Sequence, residues 1–129
     1  MLRKLFGLFK KSETSTIKEK LIPEARVIVS FDDQWIKSSK PNGLVEKVKW
    51  CDLKAVIIET TDDGPFSPDV FWMLFGGNQT GCVFPGGATG EGEILAEMQK
   101  RLKGFDNETF IQAMASCHNN KFLIWKSND

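Results

Sequence analysis

From Leu44 to Pro85 the chain alternates short apolar runs with clusters of Gly, Pro, Asp and Asn. The apolar runs are Val48-Lys49-Trp50, Ala55 to Ile58 and Val70 to Phe75. β-Branched and aromatic residues dominate them, the pattern of successive strands joined by turns. Upstream, Arg26 to Phe31 reads as a strand, Asp32-Asp33 as a turn and Gln34 to Lys37 as a second strand. Pro41-Asn42-Gly43 is a turn signal. Glu46 to Trp50 alternates, with Val48 and Trp50 on one face and Lys47 and Lys49 on the other. Asp52 interrupts the ladder before Leu53 to Thr60. Val70 to Phe75 is apolar on both faces, which predicts a central strand covered on both sides. Gly81 to Phe84 follows, stopped by Pro85.

The periodicity then changes. Ile94, Leu95, Met98 and Leu102 form the apolar face of a helix over Glu91–Leu102. Glu91 and Glu93 lie at its positive end and Gly104 beyond its last turn. A second helix starts at Asp106 or Asn107, with Phe105 and Phe110 placed as a hydrophobic staple. Its predicted inward residues are Phe110, Ile111 and Met114. Phe122 to Trp125 is a last strand. The order, ββββββααβ, predicts an α+β domain over residues 21–129. It has a strongly twisted antiparallel sheet, two consecutive C-terminal helices and a final strand, with a pleckstrin-homology-like half barrel as the named variant. Trp50, Ile57, Phe71, Trp72, Leu74, Leu95, Met98, Phe110 and Ile111 are the predicted core.

Residues 1–20 differ in both period and charge. Leu2, Leu5, Phe6 and Phe9 fall at i, i+3, i+4 and i+7, one face of a helix. Arg3, Lys4, Lys10 and Lys11 surround that face, and Ser12 to Lys20 reads as a polar linker. Six cations against Glu13 and Glu19 make residues 1–20 net +4. The formal charge of the chain is zero, so the rest is net −4. Leu2, Leu5, Phe6, Phe9, Lys10 and Lys11 are the predicted interaction residues. Their partner is a protein or a second copy of the chain; the alternative is an anionic membrane surface met through residues 1–11.

At 129 residues the chain is one domain, and ten Phe with four Trp supply a core of large rings. Zero net charge argues against a dedicated nucleic-acid binder. Three cysteines, none in a C-x-x-C, argue against a disulfide framework. No apolar run approaches the roughly 20 residues of a membrane span. The expected location is cytoplasmic, with a peripheral position at the inner membrane face if the leader binds lipid.

Several motifs carry a resemblance. They are Trp50-x-Asp52-Leu53, Asp69-x-Phe71-Trp72-x-Leu74, Cys82-x-x-Pro85-x-x-Ala88-x-Gly90, Leu102-x-Gly104-Phe105-Asp106, Ala113-Met114 and Phe122-x-x-Trp125. Over about residues 26–126 the chain resembles a group of small bacterial proteins without an assigned activity, which transfers no functional residue. Its first half is similar to bacterial pleckstrin-homology-like domains, where a strand ending in Trp before Asp-Leu is familiar.

Four constellations are candidates for chemistry. Cys117-His118 contains the single histidine; a Cys–His pair activates a thiolate when the two meet in space, and otherwise they are a packed Cys beside an exposed His. Cys51, Cys82, Cys117 and His118 are the types zinc accepts, but intervals of 31 and 35 residues lack the close pairs of structural sites. Glu59, Asp62, Asp63 and Asp69 are a carboxylate group for a divalent cation, or simply acidic turns. Gly86-Gly87-Ala88-Thr89-Gly90 precedes a helix as an anion loop does, yet matches neither phosphate-binding fingerprint and is followed by Glu91 and Glu93. No metal or cofactor is expected from them. The favoured function is a small non-catalytic binding protein, an inhibitor or immunity protein being one form. A thiol or carboxylate enzyme is the alternative.

Overall fold

The computed structural model describes residues 23–62 and 70–128. The leader and linker over residues 1–20, with all six predicted interaction residues, lie outside them. Among the described residues seven strands form: β1 (Ile28–Phe31), β2 (Trp35–Ser39), β3 (Val45–Lys49), β4 (Leu53–Thr60), β5 (Val70–Gly76), β6 (Gly81–Pro85) and β7 (Asn120–Lys126). Two helices, α1 (Glu91–Arg101) and α2 (Asn107–Ala115), precede β7. The protein is α+β with antiparallel strands, two consecutive helices and a closing strand.

The strands divide between two sheets rather than one. β1-β2-β3 make the first and β6-β5-β4-β7 the second, and they do not close into a barrel. The division falls where Asp52 interrupts the ladder: a single 3-10 turn over Trp50–Asp52 redirects the chain between β3 and β4. There Gly77 N–H donates to Asp52 C=O at 2.9 Å. Gly76 lies so close to β3 that a Cβ on it would sit 2.4 Å from Val48 Cγ2. A side chain at 76 would push the sheets apart.

The sheets face each other through Ile36, Val48, Leu74, Cys82 and Phe84, all buried. β6 is also stitched to the first sheet by polar contacts. Ser38, fully buried, donates through Oγ to Val83 C=O at 3.0 Å. Glu46 Oε1 accepts from Val83 N–H at 2.9 Å and from Lys40 Nζ at 3.0 Å. Lys40 Nζ also donates to Ser38 Oγ and Val83 C=O. Buried polar groups cost free energy unless paired, and here each is paired.

The helices complete the core on the same inner side. Ile94 and Met98 of α1 are fully buried, with Leu102 beyond them. Gly90 begins α1 at φ +95°, and a Cβ there would lie 2.1 Å from Val29 C=O. Only glycine lets the helix start so close to β1. Asp106 caps α2, accepting from Thr109 N–H at 3.0 Å, and Phe105 meets Phe110 at 6.4 Å between ring centroids as the staple pattern predicts. Trp72 is the centre of the core, fully buried, 6.0 Å from Phe84 and 5.7 Å from Phe110.

Two packing expectations are corrected. Ile111 and Met114 do not face inward; they are 65% and 41% exposed. Ala113, fully buried, brings α2 close to the sheet, so its inward row is Phe110 and Ala113. At 3.6 residues per turn Ile111 then lies roughly 130° from that row's centre. β5 is central in its sheet but, among the described residues, covered on one side only. Trp72 and Leu74 are buried, whereas Phe75 is 45% exposed, because the first sheet and both helices occupy the same side. Of the rest of the predicted core, Met98 is buried, and Trp50, Ile57, Phe71, Leu95 and Phe110 are half-buried.

Candidate functional site

Among the described residues the sequence candidates for chemistry do not assemble. Cys117 and His118 follow the C-cap of α2, both exposed, with Sγ and Nε2 4.0 Å apart. The turn is held by backbone rather than by ring: buried Thr60 donates through Oγ1 to His118 C=O at 2.7 Å. Among the described residues the imidazole has no third group to orient it, as a working dyad requires.

The three thiols are dispersed. Cys51 is exposed in the turn between β3 and β4, Cys117 is exposed after α2, and Cys82 is buried in β6. Cys82 donates to the carbonyls of Ile36 and Glu46, each at 3.4 Å. Burial, with the nearby Glu46 carboxylate as the smaller cause, pushes its thiol up to about 12. It is a core side chain that stays protonated. No group of three or more His, Cys, Asp or Glu converges among the described residues.

Of the carboxylate group, Asp63 and Asp69 lie outside the described residues. Glu59 pairs with Phe71 on β5 and Lys121 on β7. The glycine loop has spent its donors internally. Gly86 N–H donates to Val70 C=O, Gly87 N–H to Glu91 Oε1, Ala88 N–H to Pro85 C=O and Thr89 N–H to Val27 C=O. Those amides are not available to an anion. The second oxygen of Glu91 accepts the indole N–H of Trp72 at 2.9 Å. Glu91 therefore joins loop, helix and core, and its charge belongs to that joint.

What the fold does build is an open sheet face. Cross-strand partners place Val83, Met73, Ile57 and Leu123 in one row running over β6, β5, β4 and β7. At about 4.8 Å per strand the row is roughly 14 Å long. It lies on the side away from Trp72, Leu74, Ile58 and Phe84. Phe75 flanks it next to Ala55, and Phe71 lies on the other side beside Pro85. Val83 is 38% and Leu123 52% exposed. Contiguous apolar surface of this kind marks interaction sites, whereas scattered exposed side chains do not. The signal is present in the sequence as the two-faced apolarity of Ala55–Ile58 and Val70–Phe75, the second of which alone predicts a strand covered on both sides.

Two other partly exposed rings are tied down. Trp125 donates through Nε1 to Lys103 C=O at 2.9 Å, and Trp35 lies beneath the ammonium groups of Lys47 and Lys49. Phe6, Phe9 and Phe66 fall outside the described residues. Comparison with protein-family models, with curated proteins and with solved structures returns no match.

Proposed function

We propose that the protein is a non-catalytic binding protein that holds another protein chain on the outer face of its four-stranded sheet. The observation that carries this is the Val83–Met73–Ile57–Leu123 row with Phe75 beside it, apolar across every strand of the sheet. Covering such side chains is favourable by about 25 cal/mol per Å² of apolar surface removed from water. A polar ligand gains little along the row itself, where the four side chains carry no charge, and the charged Glu59 and Lys121, cross-strand partners, stand only at its edge.

The test compares wild type with Leu123→Glu and Phe75→Glu. Both side chains point outward, so far-UV circular dichroism and thermal midpoint should stay near wild type. In affinity capture from the source cells, wild type should retain a stoichiometric protein that both variants lose. Sedimentation velocity reads the homotypic form, in which the variants shift an oligomer to monomer. Retention of the same partner by both variants, or recovery of a small metabolite in its place, would overturn the proposal.

A further inference from the structure

The three-stranded sheet has its own open face, of different character. β1 pairs Ile28 with Ser39, and β2 pairs Ser39 with Val45. The next row is Ser30, Lys37 and Lys47, and the third is Trp35 with Lys49. The side chains between these rows, Val29, Ile36, Ser38 and Val48, are buried, so the three rows share the outward face. One end of the face is apolar: Ile28 is 50% exposed, Val45 52% and, in the turn leading into β3, Leu44 53%. The rest is basic.

Lys47 and Lys49 stand over the Trp35 ring at 4.6 Å and 5.3 Å from its centroid. The nearby carboxylates are engaged. Asp32 accepts from the N–H groups of Gln34 and Trp35 at 2.8 Å, those bonds holding its carboxyl below the usual value. Asp33 faces Arg101 at 3.6 Å, and Glu46 turns through to Lys40.

We propose that this face lies on an anionic membrane, with Ile28, Leu44 and Val45 entering the headgroup boundary and Lys37, Lys47 and Lys49 against the lipid phosphates. Three features select that occupant. Cations beside exposed aliphatic side chains are the pattern of a peripheral membrane surface. The face is a sheet surface rather than a groove, and it suits a plane. The chain also enters at its apolar end: the turn over Pro23–Arg26 leads into Ile28 on the edge strand. The net +4 sequence of residues 1–20 is covalently joined to the chain at that end. A nucleic acid would need bare rings to stack bases, and two ammonium groups already cover Trp35. The inference does not depend on the protein-binding face, which belongs to the other sheet.

The experiment is co-sedimentation of the full chain with vesicles of phosphatidylcholine alone and of phosphatidylcholine with 30% phosphatidylserine. Wild type should bind only the anionic vesicles, and 0.5 M salt should release most of it, because screening then acts within a few Å. The triple variant Lys37→Gln/Lys47→Gln/Lys49→Gln should lose affinity on the order of a hundredfold, at about one kcal/mol per cation near the surface. Lys→Arg at the same positions should retain binding, which separates charge from fold damage. Leu44→Ser/Val45→Ser should weaken binding with the charges intact. Wild-type binding by the triple Gln variant would show that the leader acts alone and overturn the proposal. No binding of wild type to the anionic vesicles, or tighter binding to a single-stranded oligonucleotide than to them, would overturn it as well.

Discussion

Glu91 offers the sharpest test of how this core is held. Its two carboxylate oxygens accept from Trp72 Nε1 and from the amide of Gly87, each at 2.9 Å. Trp72 is fully buried, so truncation by Glu91→Ala leaves an indole N–H in the core without an acceptor. An orphaned buried donor costs about 1–3 kcal/mol. Loss of a carboxylate from the first turn of α1 adds roughly 0.3–1 kcal/mol. The expected destabilisation is about 1.5–4 kcal/mol, or a fall in midpoint of roughly 5–15 °C for a chain of this size. Glu91→Gln should recover little of it. Its amide presents one oxygen to two donors, and its NH₂ group must face one of them. The assay is urea and thermal unfolding of Glu91→Ala, Trp72→Phe and the double variant. Phe removes the N–H donor, so the second substitution should cost about 1–2 kcal/mol less in the Phe background. A coupling below about 0.5 kcal/mol would show that the carboxylate does not serve the indole and would refute the reasoning.

Thiol chemistry gives a second expectation. Cys51 and Cys117 should label readily in the native protein and Cys82 only on unfolding, as their exposure dictates. The raised Cys82 value makes its contribution to stability complete below the unfolded thiol value of about 8.5, and that contribution is lost as pH climbs from there toward about 12. Unfolding midpoints above pH 8.5 should therefore decline less steeply in Cys82→Ala. Labelling of Cys117 much faster than a free model thiol would reveal an activated pair with His118 and overturn the non-catalytic reading. A third expectation concerns Asp106, whose bonds from Thr109 N–H and Oγ1–H lower its carboxyl below the ordinary 3.8. A lowered folded value stabilises above the unfolded value and fades as pH falls through the folded one. Asp106→Ala should lower the midpoint at pH 7, and the gap should narrow below about pH 4. A gap independent of pH would assign the effect to helix propensity.

The strands, both helices and the Asp106 cap were legible in the chain because their causes are local. Period-two alternation marks a strand, and Asp106 with Thr109 caps a helix through neighbours three residues apart. The break at Asp52 was legible too, as a polar residue between two apolar runs. What local pattern did not carry was which side of each element is covered. Ile57 and Met73 alternate with Ile58 and Trp72 and are equally apolar, so nothing in the run says which set meets solvent. That was decided when β1-β2-β3, α1 and α2 all settled on one side of the second sheet. Ile111 and Met114 were misplaced for the same reason, since buried Ala113 draws α2 down along a narrower row than its apolar residues outline. The site candidates failed in the same way: Cys51, Cys82 and Cys117 share a type but sit in a turn, a core strand and a helix end. Residue type and spacing determine secondary structure through contacts a few positions apart. Burial and convergence depend on partners 40 or more positions away, such as Ser38 with Val83 or Thr60 with His118, and only the packed chain brings those together.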